Sequence, residues 1–103
     1  MQLIWTDTYN RSLEYLFTCS HDIYTQTTLK KLRDGIIHYE HLLTANPFMG
    51  SIEISLTGME HEYRNIIIKP YFKVIYRVDG EKIYFIKIWD TRRDPELLRK
   101  DFI

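Results

Sequence analysis

The chain has 103 residues with 14 basic and 14 acidic side chains, a balance that argues for neither a nucleic-acid nor a membrane partner. At 45% hydrophobic and 15% aromatic residues, the composition excludes a disordered chain and leaves room for a single core, expected as one domain over 1–103. A single cysteine, Cys19, excludes an internal disulfide and a cysteine-built zinc site, and no apolar run has signal-peptide or membrane length, so a cytoplasmic location is expected.

In chain order, Gln2–Trp5 reads as a short apolar strand, followed by Thr6-Asp7-Thr8, which offers side chains able to cap a helix. Tyr9, Leu13, Leu16 and Phe17 follow at helical spacing, with Cys19 a small apolar residue near the helix end. A polar break at Ser20–Asp22 precedes a longer helix on which Leu29, Leu32, Ile36, Tyr39 and Leu43 recur at three- and four-residue steps. Gly35 weakens that helix by about 1 kcal/mol relative to alanine. The helix ends before Asn46-Pro47, because the residue before proline is pushed out of the helical region. Over residues 48–62, Ile52, Ile54 and Leu56 alternate as in a strand, yet Gly50 and Gly58 bracket the run closely, and an extended connection fits equally well.

Residues 64 to 95 form the most legible stretch. A strand over Tyr63–Ile68 leads through Lys69-Pro70 into a hairpin of Phe72–Val78 and Lys82–Asp90, joined at Asp79-Gly80. A two-residue Asp-Gly loop sets Val78 opposite Glu81, Tyr76 opposite Ile83, Val74 opposite Phe85 and Phe72 opposite Lys87. Phe72, Val74, Tyr76, Val78, Ile83 and Phe85 then share a core face. Tyr71, Lys73, Ile75, Arg77, Lys82, Tyr84, Ile86 and Ile88 share the other, with Arg77 facing Lys82. Like charges so placed repel, so an acidic cover is expected there. Asp94-Pro95-Glu96 then starts a short helix, with Asp at the cap and Pro at the first helical position. The order is β-α-α-β-β-β-α: an α+β fold with a small, mostly antiparallel sheet and a two-helix layer on one face.

Charge is uneven along this order. Residues 1–63 hold four cations and eight acids, and residues 64–103 hold ten cations and six acids. The cationic half is the half with the hairpin.

Several segments together carry a family resemblance. They are Asn46-Pro47 with Gly50, Tyr63-Arg64 at a strand start, Phe72-Lys73-Val74-Ile75-Tyr76-Arg77-Val78, and Trp89-Asp90-Thr91-Arg92-Arg93-Asp94-Pro95. In these residues and in its element order the chain resembles the RelE/ParE superfamily of type II toxins. The resemblance implies a growth-arresting toxin held inactive by an acidic antitoxin, without cofactor or metal. RelE-like members cut messenger RNA on the ribosome, and ParE-like members poison DNA gyrase. The leading implication is metal-independent mRNA cleavage, with the ribosome and mRNA as partners. The alternatives are a non-enzymatic gyrase inhibitor and an inactive antitoxin-binding relic.

Attack of a ribose 2′-hydroxyl on the adjacent phosphate requires a base, cations for the developing phosphate charge and an acid for the leaving oxygen. By resemblance, Lys73 takes the place of the cation on the scissile phosphate, Arg64 that of a basic residue opening the second strand, and Arg92 that of the arginine past the last strand. Arg77, Lys82, Arg93 and Tyr84 are the matching substrate- or antitoxin-binding candidates. The second lysine of the RelE pattern falls on Ile66 and its terminal-helix tyrosine near Leu98, so the usual base and stacking group are not carried over. Each cation also has a structural reading. Lys73 and Arg77 fit a solvated sheet face, Arg64 and Arg93 fit ion pairs with Glu62, Asp90 or Asp94, and Arg92 fits a pair with Asp94. His61 is a candidate substitute base. His38 and His41, one helical turn apart, fit a surface better than a metal site.

Overall fold

The computed structural model describes residues 1–19 and 23–102, without the side chain of Cys19; the expected break at Ser20–Asp22 and the setting of that cysteine lie outside the described residues. Strand β1 (Gln2–Trp5) leads into helix α1 (Asp7–Glu14), whose Thr6 cap accepts a hydrogen bond from the Tyr9 amide, and α1 runs on as a π-helical turn over Tyr15–Cys19. Helix α2 (Gln26–Ala45) is capped by Thr25, which accepts from the Thr28 amide, and ends at Asn46 as the following proline requires. Strand β2 (Ser51–Ile52) and a 3-10 turn (Ile54–Leu56) occupy the stretch whose sequence left two readings open. Strands β3 (Arg64–Ile68), β4 (Phe72–Asp79) and β5 (Lys82–Asp90) follow, then helix α3 (Pro95–Lys100). Asp94 caps α3 by accepting from the Glu96 amide, with Pro95 in the first turn, as its sequence predicts.

The described strands form one sheet in the order β1-β5-β4-β3-β2, antiparallel except for the β1–β5 pair. Against one face, α1 and α2 bury Tyr9, Leu29, Leu32, Ile36 and Leu43 upon Ile66, Ile68, Phe72, Val74, Tyr76, Ile83 and Phe85. This is the expected core face. Gly35 has a use beyond helix propensity: a β-carbon there would lie 2.6 Å from the Ile68 methyl, so α2 approaches β3 more closely than any other residue would permit.

The hairpin differs from the expectation in its loop and its register. Its loop is Gly80-Glu81, with Gly80 at φ +60, and Asp79 pairs with Lys82. A Gly-first loop needs a positive φ only at the glycine, whereas Asp-Gly needs two. Val78 therefore faces Ile83, Tyr76 faces Phe85, and Arg77 faces Tyr84 instead of Lys82. A β-bulge then leaves Ile86 unpaired and shifts the rest of β5 by one: Ile75 faces Lys87, Val74 faces Ile88 and Phe72 faces Asp90. The shift moves Ile88 into the helix-side core and turns Lys87 and Trp89 to the opposite face.

That opposite face, expected to be cationic and to take an acidic cover, is instead largely covered by the chain's own apolar residues. Ile75 and Trp89 are fully buried beneath Leu98 of α3 and Leu56, with Ile86, Met59, Tyr63 and Phe102 packed around them. Arg99 of α3 donates to the Ser55 and Thr57 carbonyls at 3.1 and 2.9 Å, tying the helix to the 3-10 segment. No described helix is long and apolar enough to cross a membrane.

Candidate functional site

The three cations predicted to be catalytic do not converge. Lys73 pairs with Trp89, so it points to the α3 side. There its ammonium lies 2.6 Å from the carboxylate of Glu53, which is buried and also accepts from the Ser55 hydroxyl at 2.6 Å and from Asn65 Nδ2 at 3.0 Å. Burial pushes the Glu53 carboxyl up, but Lys73 and Ser55 outweigh it and hold the group below its ordinary value. Lys73 is therefore neutralised within the fold.

Arg64 pairs with Tyr76 and so points to the helix side. Its Nη1 donates to the Gly50 carbonyl at 2.8 Å and its Nη2 to Glu62 at 3.2 Å, while its guanidinium lies over the Phe48 ring. This confirms the structural reading of Arg64 as a partner of Glu62. It also fixes the chain after α2, where the Tyr76 hydroxyl donates to the Pro47 carbonyl and accepts from the Gly50 amide.

Arg92 sits at the other end of the strands, beyond the Phe72–Asp90 pair. At roughly 3.3 Å per residue, the four residue steps of β4 from Phe72 to Tyr76 separate the two arginines by about 13 Å along the strand. Its partner is Asp90 and not Asp94. Asp90 Oδ1 accepts from the Arg92 amide at 2.9 Å and from Nε at 3.0 Å, while Oδ2 accepts from Nη2 and from the Tyr24 hydroxyl, each at 2.7 Å. Burial raises the Asp90 carboxyl, yet Arg92 and Tyr24 bring it below its ordinary value. Burial and Asp90 together push the Tyr24 hydroxyl up to about 12. The guanidinium plane lies 3.6 Å from the centre of the Tyr71 ring, and half of the side chain stays exposed. Arg92 is thus held flat and oriented, with one edge turned to solvent.

The binding candidates divide between the same two ends. Arg93 lies over the Trp89 ring at 4.2 Å, beside Arg92, and makes no ion pair with Asp90 or Asp94. At the hairpin end, the Arg77 guanidinium stacks on Tyr84 at 4.1 Å and lies 3.6 Å from Asp79, and exposed Lys82 faces that same Asp79. The expected repulsion between Arg77 and Lys82 is absent, because the one-residue shift of the turn puts Asp79 next to both. His61, Arg64 and Arg77 line one cleft of about 240 Å³ with Glu62 and Asp79.

Ile66 and Leu98, which stand where the RelE pattern has a lysine and a tyrosine, are both buried in the two cores. Neither position could present a polar group without unpacking its layer. Sequence reasoning missed Glu53 and Tyr24. A lone carboxylate between Ile52 and Ile54 was the available signal for Glu53, since a charge in an apolar run requires a partner. Tyr24 offered none. Among the described residues no group of three or more His, Cys, Asp or Glu side chains is placed to hold a metal.

No protein-family model matches the chain, and no curated sequence is significantly similar to it. Among solved structures it is similar to a chain described as a chromosomal ParDE TA system from P. aeruginosa. The TM-score is 0.62 at 19% identity, over 87% of this chain and 95% of that one. At that identity the likeness is one of fold, and it bears out the RelE/ParE-like α+β architecture expected from the sequence.

Proposed function

We propose that the chain is the toxin of a type II toxin-antitoxin pair, neutralised by an acidic antitoxin, and that it arrests growth by binding a protein target, with DNA gyrase the expected one, rather than by cutting RNA. The likeness of fold to the ParDE protein supports the toxin reading. The observation that carries the choice of mechanism is the Lys73–Glu53 pair. The cation assigned to the scissile phosphate is neutralised on one face of the sheet, while Arg64 and Arg92 lie on other surfaces at opposite strand ends. Phosphodiester cleavage requires those charges on one phosphate. A binding toxin requires no such convergence, and the rigidly held edge of Arg92 suits recognition of a carboxylate or phosphate.

One observation favours a second reading. His61 shares its cleft with Arg64 and Arg77, which supplies a base and two cations at one place for RNA cleavage. Induced expression followed by sequencing of RNA ends and by trapping of covalent gyrase–DNA complexes separates the two. Stabilised DNA complexes with unchanged RNA ends are expected. New RNA ends that disappear in His61→Ala, without DNA complexes, overturn the binding reading.

A further inference from the structure

A cleft between α1 and α2 is used by neither reading of the toxin. Its volume of about 470 Å³ is within the range of small-molecule sites. Tyr9, Leu13 and Phe17 recur at four-residue steps along one wall, Ile36 and Ile37 form the other, and Trp5 of β1 completes the lining. Ile37 and Trp5 are 61% and 44% exposed, so this apolar surface faces solvent. Trp5 is nevertheless fixed in place: its ring stacks on Phe85 at 5.9 Å, and its Nε1 donates to Glu40 Oε2 at 2.6 Å. The site is therefore preformed.

One polar group in this lining is unpaired. Tyr9 is buried against Phe85, and its hydroxyl has no hydrogen-bond partner among the described residues. Native folds rarely leave a buried polar atom so, because it forfeits its hydration for nothing. Burial and the charge of Glu40 push the hydroxyl above its ordinary value. It thus stays a protonated donor within the field of Glu40, which lines the same cleft, yet no hydrogen bond joins the two. Glu40 Oε1 is open to accept, since Trp5 occupies Oε2. A ligand atom placed between Tyr9 and Glu40 therefore meets a donor on one side and an acceptor on the other. The Tyr9 hydroxyl lies below the surface of the lining, so that ligand group must be small and the half-buried Glu40 side chain must give way to it.

These partners select the chemistry. A carboxylate at this point would be repelled by Glu40, and Arg33 lies about two helical turns, roughly 10 Å, farther along α2. An ammonium would donate to Glu40 but leave the Tyr9 proton without an acceptor. A bare hydrocarbon would satisfy neither. A hydroxyl accepts from Tyr9 and donates to Glu40 at once. The aromatic and branched residues of the walls suit a flat ring behind that hydroxyl.

We infer that the cleft between α1 and α2 binds a small neutral phenol or aromatic alcohol, its ring against Leu13, Phe17 and Ile37 and its hydroxyl bridging Tyr9 and Glu40. The inference is independent of the toxin's target.

The experiment is titration of the intact chain with phenol, toluene, benzoate and benzylamine, followed by the indole N–H resonances of Trp5 in the cleft and of buried Trp89 as the internal control. It is repeated on Tyr9→Phe, which keeps the packed ring, and on Ile37→Arg, which fills the cleft from an exposed position; thermal melts confirm that both fold. The expected result is a saturable shift of the Trp5 resonance alone, with phenol bound at least fivefold tighter than the other three. Tyr9→Phe should bind phenol no tighter than toluene, and Ile37→Arg should bind neither. No saturable shift at millimolar phenol, benzoate or benzylamine binding as tightly as phenol, or an undiminished preference for phenol over toluene in Tyr9→Phe would each overturn it. So would phenol binding to Ile37→Arg as to the wild type, which would place the ligand elsewhere.

Discussion

The Lys73 ammonium lies 2.6 Å from the Glu53 carboxylate, in a pair whose side chains are only 15% and 5% exposed. Breaking such a pair by removing one partner leaves an uncompensated buried charge, which typically costs about 3–5 kcal/mol. Lys73→Met is therefore expected to be strongly destabilised in denaturant unfolding. Lys73→Met/Glu53→Gln, which removes both charges and keeps one acceptor oxygen for either Ser55 or Asn65, should recover part of the loss. The double variant should also still arrest growth. A folded double variant that no longer does so would return Lys73 to the chemistry.

Acid sensitivity follows from two carboxyls. Glu53 and Asp90 both titrate below their ordinary values of 4.5 and 3.8 in the folded chain, so the folded state binds fewer protons than the unfolded one. Their contribution is complete above about pH 5 and is lost as the pH falls through the ordinary values toward the lower folded ones. Denaturant midpoints should fall between pH 5 and pH 3, and Glu53→Gln should flatten that limb. An equally steep limb in Glu53→Gln would assign the acid sensitivity to other groups.

Arg92 is held by Asp90 on one side and by the Tyr71 ring on the other. Lysine keeps the charge but neither the fork nor the stacked plane. Arg92→Lys is expected to lose growth arrest while its melting temperature stays within a few degrees of wild type. Colony counts after induction, together with thermal melts, check this, and a fully toxic Arg92→Lys would show that the oriented plane is not what the target reads.

The second core can be tested against the first. Leu98 is fully buried under the sheet on the α3 side, as Phe85 is on the helix side. Leu98→Ala should cost about 2–5 kcal/mol and Phe85→Ala about 3–5 kcal/mol, whereas Lys82→Ala, at an exposed strand end, should be near neutral. If Leu98→Ala unfolds like wild type, α3 is not holding that face closed.

Gly35→Ala opposes two effects. Alanine improves helix propensity by about 1 kcal/mol, but its methyl would meet the buried Ile68 side chain at 2.6 Å. Overpacking of this kind typically costs about 1–3 kcal/mol. A net loss is expected in urea unfolding, and a gain would mean that α2 can lift from β3 freely.

What the sequence determined by itself is what short-range chemistry controls. The α2 stripe from Leu29 to Leu43, the Thr6 and Asp94 caps, the end of α2 at Asn46-Pro47 and the inward face from Phe72 to Phe85 all depend on residues a few positions apart. Tertiary structure decided the rest. A one-residue shift at Gly80 and one bulge at Ile86 changed which charges meet, because strand faces alternate with a period of two and each single-residue slip reverses them. The ion pair between Glu53 and Lys73 joins residues 20 apart through the β2–β3 edge, and Tyr24 meets Asp90 across 66. No local pattern encodes such contacts. They arise only once the sheet has brought the chain together, and they decide which cations are spent within the fold and which remain available to a partner.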